Sequence, residues 1–232
     1  MENFIRENIE VIKQKVANAA ERSGRNPSDV LLLAVTKTID NERIREAVDA
    51  GLNELGENKV QEIMDKYDTL ERDVKWHMIG HLQTNKVKYI IDKVKLIHSV
   101  DSLKLAEEIN KRAAKAGVVM DILVEINVAD EESKFGITCE IAEDIVRQMS
   151  LMENIRVKGL MTVAPFVDDA QLNRPVFKRL RQLLVDINDK KIDNVNMDVL
   201  SMGMTGDYEV AIEEGATIVR VGTGIFGPRV YL

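Results

Sequence analysis

The sequence predicts an α/β protein, a single (β/α)8 barrel over residues 1–232 with an extra helix ahead of its first strand. Three observations carry this: eight short apolar runs alternate with amphipathic segments, glycine recurs at helix exits, and no Pro/Ser-rich stretch marks a domain boundary. An open doubly wound sheet is the alternative that periodicity leaves standing.

The opening segment sets Ile5, Ile9, Ile12, Val16 and Ala19 on one helical stripe, with Glu2, Glu7, Glu10 and Glu21 interspersed. That is the pattern of an amphipathic helix; a signal peptide needs a continuous apolar region, and a transit peptide few acidic residues. In LLLAVTKTID, residues 31–40, Leu31 to Val35 leave no polar face, as expected of a strand covered on both sides near 30–36. A helix near 41–50 follows, with Asp40 as N-cap and Gly51 ending it. LNEL then leads to a helix near 57–67, VKWHMIG to one near 84–92, and KLIHSV to one near 103–115. VVMDILVEINV is the clearest strand, followed by a helix near 138–150. IRVKGLM precedes a long helix near 170–189, NMDVLSMG precedes one near 207–214, and ATIVRVGTGIFG closes the chain. DAGLNEL, KAGVVMD and EEGATIV each place glycine just before a strand, where a left-handed cap turns the chain back into the sheet.

Composition bounds the function. Of 232 residues 45% are hydrophobic and 31% charged, as in an ordinary globular protein, and 32 basic against 39 acidic residues give a net charge of −7. That balance argues against broad binding of nucleic acid or of an anionic membrane surface. The single cysteine, Cys139, cannot form an internal disulfide. No window approaches the roughly 20 apolar residues of a membrane span. A cytoplasmic location is expected.

In a barrel, chemistry gathers where the strands end. Gly203 and Gly206 follow the seventh strand and Gly222, Gly224 and Gly227 the eighth, with Ser201, Thr205 and Thr223 among them. Small residues let backbone N–H groups approach a phosphate and hydroxyls add donors; ordinary turn glycines are the competing reading. Lys37 shares strand parity with Leu31, Leu33 and Val35. It is either a solvated strand exit or an amine whose nucleophilicity is raised for Schiff-base chemistry. Phosphate and reactive lysine on one face suggest a pyridoxal phosphate protein or a Schiff-base aldolase of sugar phosphates.

The blocks LLLAVTKT, LGENKVQE, WHMIGHLQTNK, HSVDSLKLAEEIN, VEINVADEESKFGI, KGLMTV and LSMGMTGDYEVAIEEGATIVRVGTGIFGPR resemble, in order, those of the YggS/PROSC type of pyridoxal phosphate-binding proteins. The resemblance implies a barrel like the alanine racemase N-terminal domain. It implies that Lys37 carries pyridoxal 5'-phosphate as an internal aldimine, with Asn58 near the ring and its 3-hydroxyl, and His77 and Met78 close to the ring. Ser201, Gly222 and Thr223 would hold the phosphate, and Arg220 would face the pyridine nitrogen.

Each residue also has a duller reading. Asn58 fits a helix start and Ser201 a turn cap. Arg220, between Val219 and Val221, is costly to bury unless something accepts its hydrogen bonds. His77 and His81 are spaced i, i+4, but HMIGH offers neither a glutamate nor a third ligand, so no metal is expected. Lys134 is read as a loop charge.

Arginine is always cationic and cannot protonate the ring nitrogen, so carbanion chemistry should be muted. The β-rich second domain of the racemases has no room in this chain. The expectation is therefore a protein that carries or buffers the cofactor in vitamin B6 and amino-acid homeostasis, not an enzyme. Pyridoxal phosphate-dependent apoenzymes are the expected recipients and a monomer the expected state. The alternative is a weak pyridoxal phosphate-dependent amino-acid racemase.

Overall fold

The structure is a computed structural model that describes residues 4–70, 72–131 and 134–228. Eight strands run parallel and pair in chain order: β1 (Leu31–Val35), β2 (Glu54–Glu57), β3 (Lys75–Met78), β4 (Val94–Val100), β5 (Met120–Glu125), β6 (Ile155–Met161), β7 (Val195–Met204) and β8 (Ile218–Val221). β8 returns to β1 with Leu33 opposite Arg220, so the sheet closes and the open-sheet alternative falls away.

Parallel strands need crossovers, which the helices supply. α1 (Phe4–Arg22) precedes the barrel; α2 (Asn41–Asp49), α3 (Val60–Tyr67), α4 (Leu103–Ala116), α5 (Ala142–Met149), α6 (Arg174–Asp189), α7 (Tyr208–Glu213) and α8 (Thr223–Phe226) follow strands. Asp40 caps α2 by accepting from the Arg43 N–H at 3.0 Å, and Gly51, Gly117 and Gly215 all turn out of their helices at positive φ. The one crossover without an α-helix follows β3, where the pattern at 84–92 predicts a helix and the chain forms a 3-10 helix over Thr84–Tyr89. Val87, Ile90 and Ile91 are buried there as a helical stripe would require, but no side chain caps its start and the segment is short.

Two hydrophobic layers result. Leu33, Leu96, Leu123, Met161 and Ile218 fill the barrel interior, while Leu32, Ala34, Leu55, Met78, Ile122 and Leu200 face the helices. Strand alternation assigns the layers: Leu32 and Leu33 are neighbours in sequence and lie in different cores. α1 packs its Ile5, Ile9, Ile12 and Val16 stripe inward against α7 and α8, and Asn8 Nδ2 donates to the Ile225 carbonyl at 2.9 Å. Among the described residues no helix is long and apolar enough to cross a membrane.

Candidate functional site

Lys37 lies two residues beyond the end of β1, between two pinned neighbours. Thr36 is buried; its hydroxyl donates to Glu57 Oε1 at 2.7 Å, and its carbonyl accepts from Lys66 Nζ at 2.9 Å. Thr38 adopts φ 64°, a left-handed conformation rare for a β-branched residue, and its N–H donates to Glu62 Oε2 at 2.7 Å. Lys66 Nζ also donates to Glu57 and Glu62, at 2.7 and 3.2 Å. Burial pushes the Glu57 carboxyl up, and Lys66 offsets part of that rise. This cluster behind the barrel wall fixes the backbone that presents Lys37.

The lysine opens into a cavity of about 640 Å³ at the C-terminal mouth, lined also by Asn58, Arg220, Gly222 and Thr223 and rimmed by Val163 and Phe166. That volume falls within the about 300–1,000 Å³ usual for small-molecule sites. Asn58 is set in place by Gly80, where a Cβ would lie 2.4 Å from the Asn58 carbonyl oxygen; the exits of β2 and β3 are pressed together there. Gly222 and Thr223 begin the single turn of α8, in which the Ile225 N–H returns to the Gly222 carbonyl at 3.0 Å and the Gly224 N–H donates to Thr205 Oγ1 at 3.3 Å.

Arg220 is 5% exposed. Its Nη1 donates to Ser201 Oγ at 2.7 Å and its Nη2 to the Thr162 carbonyl at 2.8 Å. Burial pulls its pKa down to about 10, against the opposing charges of Glu125 and Asp207, so it stays cationic at neutral pH. Asp207, itself on the cavity wall, accepts from Asn173 Nδ2 and from the Met204 N–H.

The structure thus brings Lys37, Asn58, Arg220, Gly222 and Thr223 together around one cavity. Ser201 lies fully buried below it, its oxygen engaged by Arg220 and by His98 Nδ1 at 2.9 Å. His77 lies deeper, its Nδ1 2.9 Å from His98 Nε2 and its Nε2 2.6 Å from Glu54 Oε2. Met78 faces the outer, helix-side core, because successive strand residues point to opposite faces. His81 stands apart from His77, at the exposed rim, bonded to Asp101 and stacked on Phe135. Lys134 donates to Glu131 Oε1 at 2.7 Å and does not line the cavity.

Sequence reasoning passed over His98, Glu54, Asp207 and Glu125. A histidine flanked by Ile97 and Ser99 in a strand otherwise fit for burial was the available signal for His98, and interior parity that for Glu125. Glu54 gave none, since its partners come from other strands.

The chain matches the family model for the alanine racemase N-terminal domain over residues 4–230. It is 46% identical over 226 residues to the pyridoxal phosphate homeostasis protein of Aquifex aeolicus, covering 97% of this chain and 98% of that one. To the Escherichia coli K12 protein of the same name it is 35% identical, covering 99% and 98%. The solved structure of PipY from Synechococcus elongatus with PLP bound superposes at a TM-score of 0.83, with 32% identity over 96% of this chain and 100% of that one. An alanine racemase of Clostridium difficile superposes at 0.73 with 15% identity, over 99% of this chain but 58% of its own, a likeness of fold.

Proposed function

The chain belongs to the alanine racemase N-terminal domain family, within its pyridoxal phosphate homeostasis proteins, and from that premise we propose that it binds pyridoxal 5'-phosphate and carries or buffers it. The observation that supports this most directly is the cavity that joins an amine, a fixed guanidinium and a glycine-led helix start. Pyridoxal phosphate supplies an aldehyde that condenses reversibly with amines, and an electron-withdrawing ring.

The donor set fits that group. Lys37 is the amine of attachment. Thr223 and the N–H groups at Gly222 and Thr223 suit a phosphate, favoured by their place at a helix start. Asn58 stands where it can bond a ring substituent, and Arg220 faces the ring nitrogen. Ser201 and His77 act through Arg220 from below, and Met78 supports β3 from the outer core. Arg220 is cationic and donor-only, so it withholds a proton from the ring and keeps carbanion chemistry weak. The chain is read accordingly as a cofactor carrier, not an enzyme, with apoenzymes as recipients and a cytoplasmic monomer as its form.

Borohydride reduction of the cofactor-loaded protein followed by peptide mapping tests the reading. Label is expected on Lys37, with visible absorption and label both lost in Lys37→Ala. Label on Lys134 instead, or no uptake from excess cofactor, overturns the assignment. Racemisation of amino acids is expected to stay near background; robust turnover abolished by Lys37→Ala would establish the racemase.

A further inference from the structure

Five side chains stand in line below the cavity floor: Arg220, Ser201, His98, His77 and Glu54, joined by contacts of 2.7, 2.9, 2.9 and 2.6 Å. Four are at most 5% exposed and Glu54 is 6%. They come from β8, β7, β4, β3 and β2, so the line crosses the barrel interior from the cavity to the start of β2.

The two ends determine its direction. A guanidinium only donates hydrogen bonds, and an ionised carboxylate only accepts them. Glu54 is ionised: burial alone would raise its carboxyl, but hydrogen bonds from His77 and Lys95 outweigh that and hold it at about 2, with Lys75 3.2 Å away on the same oxygen as Lys95. His77 must therefore carry hydrogen on Nε2. Burial pushes both imidazoles down, His98 furthest, so each is neutral and has one acceptor nitrogen. His77 Nδ1 then accepts from His98 Nε2–H, His98 Nδ1 accepts from the Ser201 hydroxyl, and the Ser201 oxygen accepts from Arg220. One proton arrangement satisfies all four bonds. Reversing any of them with neutral imidazoles sets two donors or two acceptors face to face.

We propose that Glu54, His77, His98 and Ser201 are positioning residues, a one-way hydrogen-bonded chain that locks the Arg220 guanidinium at the cavity floor. The proposal rests on the reading of that cavity as the pyridoxal phosphate site. The acceptors that hold Arg220 directly, the Ser201 hydroxyl and the Thr162 carbonyl, are both neutral. Glu54 supplies negative charge from a distance: each group in the chain is polarised by the next, which makes the Ser201 oxygen a stronger acceptor. Asp207, and Glu125 where it is ionised, add opposing charge that favours the cationic guanidinium.

Nitrogen-15 NMR of the imidazoles in the ligand-free full chain tests the chain without the cofactor. His77 and His98 are expected neutral at pH 7 with hydrogen on Nε2; hydrogen on Nδ1 of either, or a cationic His77, overturns the proposal. Binding titrations with pyridoxal phosphate test the consequence. His98→Leu is expected to weaken retention at least tenfold and shift the visible band, while His98→Gln, which both donates and accepts, recovers part of the loss. Glu54→Gln, which keeps one acceptor oxygen for His77 and replaces the carboxylate oxygen facing Lys75 and Lys95 by an uncharged amide group, is expected to shift the band in a protein that remains folded. Unchanged affinity and band in both His98→Leu and Glu54→Gln overturn it. Ordered tautomers in a wild-type chain that takes up no pyridoxal phosphate would instead sink the reading of the cavity and leave the Arg220 lock standing.

Discussion

Glu125 shows how one residue ties stability to pH. It ends β5 on the interior side, where burial first, and then the charge of Asp101, lift its pKa to about 7 against the pull of Arg220. The unfolded chain releases this proton near the ordinary glutamate value of about 4.3. Between those values the folded state holds the proton and the unfolded state does not, so stability falls as pH rises through that window, by about 4 kcal/mol in all. Glu125→Gln is expected to remove the decline, read as urea midpoints that no longer drop between pH 5 and pH 8. Glu54, held at about 2, has the opposite sign: its contribution is present above the unfolded value and is lost as pH falls toward 2.

At the scale of elements, β6 and β7 approach more closely than a side chain permits. A Cβ at Gly159 would lie 1.8 Å from the Val199 carbonyl oxygen, and the β6–β7 register shifts beside it. Gly159→Ala must push the strands apart, with an expected loss of about 3 kcal/mol, measured as a lowered unfolding midpoint. The sequence motif KGLM marks β6 but not this contact, because the atom that forbids a side chain belongs to a strand 40 residues later. Element types were legible from periodicity nearly throughout. The crossover at 84–92 was not: its apolar spacing is helical, yet the span is short, no side chain caps its start, and a 3-10 helix buries the same residues.

For the whole molecule, α1 connects the chain's beginning to the phosphate end of the proposed site. Asn8 holds the Ile225 carbonyl in α8, two residues past Thr223, and the α1 stripe packs against α7 and α8. Asn8→Ala is expected to cost about 1 kcal/mol in denaturant unfolding and to weaken pyridoxal phosphate retention in equilibrium binding; full stability with unchanged retention would show that α1 is only a cover.

The sequence by itself determined the alternation of strands and helices, the burial of β1, and the glycine-rich strand ends that share one face with Lys37. Those follow from local periodicity and from the rule that barrel loops converge at one face. Only the tertiary structure decided that Met78 turns to the helices, that Ser201 and His77 lie beneath the cavity, and that His98 and Glu54 join them. Partners for a buried polar group are drawn from strands far apart in the chain. Barrel closure, which brings β2, β3, β4, β7 and β8 around one interior, sets which of them meet.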